Sequence, residues 1–133
     1  MLFGVIILIP ICAVCQLQYP SNIKWIQINT SKFKIICPES IGDKGQEVAN
    51  LLENVSVPVS SPLIKTTQPI ALILNNQSVI SNGYVTLQPR HMSWYATPFQ
   101  DAGSSLDGSD WFQTLALHEY RHVVQFDRFN DNL

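Results

Sequence analysis

The chain has 133 residues, 46% of them hydrophobic and 14% charged, with a formal net charge of -2. That length suits one domain of ordinary size and the apolar share is enough to build a core, which argues against a disordered chain. A slightly acidic chain without a local cluster of Lys and Arg argues against a nucleic-acid surface, and Lys32 and Lys34 are merely alternate residues of one predicted strand.

Met1 to Val14 form an uninterrupted apolar run, too short to span a bilayer comfortably and well sized for the hydrophobic part of a signal peptide. Ala13-Val14-Cys15 places small residues three and one before a cut ahead of Gln16. Residues 1–18 are therefore predicted to be a leader and 19–133 the domain proper, exported to the periplasm, the outer membrane or the medium, with no transmembrane span beyond the leader. No Lys or Arg precedes Lys24, so a buried N-terminal strand is the competing reading. Lipidation of Cys12 or Cys15 fits poorly, because neither follows the small residue such a site needs. Both leave with the leader, and Cys37 stays as a single thiol, a small buried hydrophobe at a strand end.

Lys24 to Asn29 and Lys32 to Cys37 alternate with the period of two that marks strands, and Asn29-Thr30-Ser31 supplies a turn between them. Lys44 to Val55 sets Val48, Leu51, Leu52 and Val55 at i, i+3, i+4 and i+7, one stripe of a helix that Pro58 is expected to end. Ser56 to Pro69, with three prolines, reads as a loop. Ile70 to Leu74 is a continuous apolar run, expected to be an interior strand covered on both faces. Asn82-Gly83 is a hairpin-turn signal, Tyr84 to Leu87 a short strand and Trp94 to Thr97 another. A polar loop from Gly103 to Gly108 leads to the last element.

That element, Asp110 to Phe126, has no Gly or Pro. Asp110 is placed to cap it, with Gln113 reaching back. Leu115, Ala116, Val123, Val124 and Phe126 surround the sequence His118-Glu119-Tyr120-Arg121-His122, which is H-E-x-x-H. Histidines four apart share a helix face, close enough for both imidazoles to bind one zinc ion. Glu119 can reach a water beside the ion without being a ligand, as a general base requires. The longer pattern H-E-x-x-H-x-x-G-x-x-H would need glycine and histidine where this chain has Gln125 and Arg128. Asp127 lies about 140° further round the helix than His122, and His91 sits in a probable strand, so neither is a good third ligand.

The run Trp111 to Asn130 resembles the gluzincin group of zinc metallopeptidases, and more narrowly a group of secreted bacterial proteins in which such a domain precedes a TolB-like β-propeller. The resemblance implies His118 and His122 as zinc ligands, Glu119 as base, and a third ligand, a glutamate, on the next helix. The chain ends eleven residues after His122 with no such glutamate, so it reads as an N-terminal fragment. The expected fold is α+β, the N-terminal half of a zincin domain, with a mostly antiparallel twisted sheet on the active-site helix. Gly83 to Thr86 is given the place of the edge strand along the cleft, where an extended peptide would pair; a plain hairpin arm with no substrate contact is the equal alternative. The expected function is zinc-dependent hydrolysis of peptide bonds in a peptide or protein substrate, lost in the fragment. The alternative is a non-catalytic metal-binding or interaction module.

Overall fold

The structure, a computed structural model, describes residues 20–59, 69–97 and 108–130. The leader with Cys12 and Cys15, most of the Ser56 to Pro69 segment and the loop at Gly103 lie outside the described residues. Strands β1 (Trp25–Asn29) and β2 (Phe33–Pro38) form an antiparallel hairpin in which Trp25 faces Pro38 and Asn29 faces Lys34. Thr30 closes its turn: its N–H donates to the Phe33 carbonyl at 2.9 Å, and the Phe33 N–H donates to its hydroxyl at 3.0 Å.

A 3-10 turn (Glu39–Ile41) leads into helix α1 (Gly42–Val59). Val48, Leu52 and Val55 of its apolar stripe are buried and Leu51 is half-buried. Pro58 does not end this helix, which runs one residue beyond it. In a last turn a proline forfeits a single backbone bond. Ser56 beside it is fully buried: its hydroxyl donates to the Glu53 carbonyl of the same helix at 2.8 Å and accepts from Lys32 Nζ at 3.0 Å, the one of these two bonds that ties the turn to the β1–β2 hairpin. Gly45 lets the helix approach the sheet closely, since a Cβ there would stand 2.7 Å from Cys37 Sγ.

The crossover through α1 makes β3 (Ile70–Asn75) parallel to β2. β3 is parallel also to β5 (Arg90–Tyr95), which pairs antiparallel with β4 (Gly83–Leu87). The sheet order is β1-β2-β3-β5-β4. The architecture is therefore α+β, but the sheet is mixed rather than mostly antiparallel: two pairings are parallel and two antiparallel. Asn82-Gly83 is not a hairpin turn either. Gly83 opens β4, and the turn lies at Gln88-Pro89, between Leu87 and its partner Arg90. Strand β5 begins at Arg90, four residues earlier than the sequence suggested.

Helix α2 (Gly108–Asn130) starts two residues before Asp110, which stands inside the first turn rather than before it. Both helices cover the same face of the sheet. Phe33, Ile35, Leu72, Leu74, Met92 and Trp94 point into that layer and meet Val48 and Leu52 of α1 and Phe112, Leu115, Ala116, Tyr120 and Val123 of α2, all buried. The Tyr120 ring meets Phe33 edge-on at 5.5 Å. β3 is interior as expected, but its helix-facing residues are buried while Ala71 and Ile73, on the other face, are only half-buried. The continuous apolar run thus marks a central position, not coverage on both sides. Among the described residues no helix is long and apolar enough to cross a membrane.

Candidate functional site

The same helix that fills the core presents the motif. Residues 112, 115, 116, 120 and 123 recur at the spacing of one helix face, which buries them against the sheet and α1. His118 and His122, one turn apart, then fall at the helix's exposed margin: His118 is exposed and His122 half-buried. Glu119, next to the buried Tyr120, is turned inward and only 5% exposed.

The two imidazoles stand with ring centroids 4.8 Å apart and their planes nearly perpendicular. His118 Nε2 and His122 Nε2 are 3.2 Å from each other. A tetrahedral ion bound at about 2.05 Å by two nitrogens needs them about 3.3 Å apart, close to the separation found here. His122 Nδ1 lies 3.1 Å from the side-chain carbonyl oxygen of Gln125. With that oxygen as the acceptor, Nδ1 carries the proton and Nε2 keeps a lone pair, the tautomer able to bind metal. Phe126 stacks on the other side of the His122 ring, at 6.3 Å. Among the described residues no third His, Cys, Asp or Glu joins these side chains in a group able to hold a metal.

Burial pushes the Glu119 carboxyl above the usual carboxylate range, against the opposing pull of His118 and His122. It faces a cavity of about 310 Å³ lined by Gly83, Tyr84, Val85, His118, Glu119, His122 and Phe126. One wall of the cleft is therefore the motif face of α2 and the other is β4, an edge strand of the sheet. The close approach at one end depends on Gly83, where a Cβ would meet Leu115 Cδ1 at 2.8 Å and Trp94 Cδ1 at 3.0 Å.

The other candidates are placed elsewhere. Met92 and Trp94 face the helices, so His91, one residue before Met92 on the strand, faces away. Its Nδ1 lies 2.7 Å from the Pro89 carbonyl and its Nε2 3.3 Å from the Thr86 hydroxyl. Asp127 is held by Arg90 in a bidentate pair, Nε to Oδ1 at 2.8 Å and Nη2 to Oδ2 at 2.6 Å. Trp94 is core beneath Gly83, and Tyr95 belongs to the opposite face of the sheet. Sequence reasoning missed Gln125 as a partner of His122, although the spacing of three that lets them touch is visible in the sequence. It also missed Arg90 as the partner of Asp127, a pairing across 37 residues for which no local signal exists. In comparisons with known proteins, no family model, no curated protein and no solved structure matches the chain.

Proposed function

We propose that this chain carries the zinc-binding and proton-transferring part of a peptidase site, acting on extended peptide substrates outside the cytoplasm. The observation that carries the reading is the facing of two Nε2 atoms at 3.2 Å beside a buried glutamate that lines the same cleft. His118 and His122 would hold the ion, with Gln125 fixing the His122 tautomer. A third protein ligand is expected from a glutamate beyond the motif helix, as in the gluzincins that Trp111 to Asn130 resembles. Zinc, when bound, supplies Lewis acidity that makes nearby water more acidic and polarises a carbonyl.

Glu119 then has the proton work. It takes a proton from water as the oxygen attacks the peptide carbonyl, and it gives that proton to the amine nitrogen as the C–N bond breaks. A carboxyl pushed up by burial holds the proton better between the two events than an exposed one would. The edge strand β4 supports a peptide as substrate, because its outward N–H and C=O groups can pair with an extended backbone laid beside the motif.

The test joins metal analysis to turnover. In a chain that also carries the third ligand, one zinc is expected to bind, to be lost on His122→Ala and to stay on Glu119→Gln, with peptide hydrolysis falling about 10²–10⁴-fold in the glutamine variant. Full hydrolysis by Glu119→Gln would refute its role as base. Zinc bound without turnover by that chain, with no substitution, would leave a metal-binding module in place of an enzyme.

A further inference from the structure

Strand β4 has little to hold it where it is. It is five residues long, none of them fully buried, with Tyr84 and Leu87 exposed, and among the described residues its only strand partner is β5. Its two ends are nevertheless fastened to α2. At the first, Gly83 lies against Leu115, whose Cδ1 would stand 2.8 Å from a Cβ placed there and would have to shift to admit one. At the second, Arg90, paired with Leu87 across the hairpin, grips Asp127 through two parallel hydrogen bonds of 2.8 and 2.6 Å. That ion pair is largely shielded, with 28% of the Arg90 side chain and 16% of the Asp127 side chain exposed. Leu115 and Asp127 are about 18 Å apart along the helix, and His118, Glu119 and His122 lie between them.

We propose that the Arg90–Asp127 pair is a positioning element of the candidate site: with Gly83 at the opposite end, it sets how far the edge strand stands from the two histidines and Glu119. Its consequence for peptide binding rests on the peptidase reading above. The pair touches neither histidine and takes no part in proton transfer. A bidentate guanidinium–carboxylate pair suits the task because it fixes orientation as well as distance, which a lysine's single point charge does not.

The experiment compares Arg90→Gln, Asp127→Asn and Arg90→Lys in the full chain, each also carrying Glu119→Gln so that peptide is not cut. Three quantities are read: amide hydrogen exchange, zinc affinity, and anisotropy of a fluorescein-labelled heptapeptide with leucine at its centre, in excess zinc. The β4 amides that donate to β5 are expected to exchange about tenfold faster in the glutamine and asparagine variants while Ile35 and Leu72 keep their rates. Heptapeptide Kd should rise about tenfold with zinc affinity unchanged within about twofold, and Arg90→Lys should fall between. Unchanged β4 exchange or unchanged peptide affinity in folded variants would overturn the proposal, as would faster exchange throughout the sheet, the mark of a general stabiliser. Failure of the peptidase reading shows separately, as no heptapeptide binding by the parent Glu119→Gln chain, and the exchange data then decide alone whether the pair holds β4.

Discussion

Gln125 is the residue whose role follows most directly from one distance. With its carbonyl oxygen 3.1 Å from His122 Nδ1, it selects the tautomer in which Nε2 can donate to a metal. Without it, His122 would divide between two tautomers and its ring would be free to turn. Gln125→Ala is therefore expected to weaken zinc binding about 10–100-fold, as removal of such supporting partners does. Gln125→Glu, which keeps an acceptor at that place, should preserve it. Competition against a chromophoric chelator measures both, and equal affinities for all three proteins would show that the contact is incidental.

Among elements, α1 illustrates how a helix is tied to strands it follows. Glu53 accepts from the Ser31 hydroxyl at 2.9 and 3.1 Å and from the Lys32 N–H at 3.0 Å, so one carboxylate closes the β1–β2 turn against the helix. Burial by itself would push that carboxyl up, but the hydrogen bonds from Thr30, Lys32 and Ser31, with the Lys32 charge, outweigh it and hold the group below its ordinary value. A carboxyl whose pKa is lowered in the folded state makes stability rise with pH across the range in which the unfolded chain binds more protons. The stabilisation is thus complete above the unfolded value, about 4.3, and is lost as pH falls through the lower folded value. Denaturant unfolding of the parent and of Glu53→Gln should differ at neutral pH and converge in acid; a gap that stays constant with pH would show that the charge contributes nothing.

At the scale of the whole molecule, the fold is one layer of two helices on one face of a five-stranded sheet, with Cys37 at 0% exposure between β2 and the glycine of α1. Burial also raises the Cys37 thiol pKa, which removes thiolate as well as access. The prediction is that thiol reagent at mildly alkaline pH leaves Cys37 unmodified in the native protein and modifies it at once in denaturant, read by mass mapping of the labelled peptide. Rapid native labelling would mean that α1 lifts from the sheet on its own. The unequal anchoring of the two walls of the cleft belongs to the same scale. α2 buries Phe112, Leu115, Ala116, Tyr120 and Val123, whereas β4 buries none of its residues, so any opening of the cleft should be a movement of the hairpin, not of the motif helix.

What the sequence determined by itself is whatever repeats over a few residues. The alternation in β1 and β2, the i, i+3, i+4, i+7 stripe of α1, the central place of Ile70 to Leu74 and the helix carrying His118, Glu119 and His122 are all products of local period, and each element forms. The spacing of four between the histidines fixes their facing for the same reason, since helix geometry needs no help from distant residues. Tertiary structure alone decided the rest. Parallel pairing of β3 with β2 and β5 depends on a crossover and on a strand that arrives fifteen residues after β3 ends, which no local pattern encodes. Asn82-Gly83 carried turn chemistry, yet β4 is not a neighbour of β3, so the glycine serves close packing on Leu115. Pro58 stays within α1 because Ser56, two residues before it, is buried against Lys32. The burial of Glu119, the pairing of Arg90 with Asp127 and the laying of β4 along the motif arise only when the helix packs, because each joins groups that the chain alone keeps far apart.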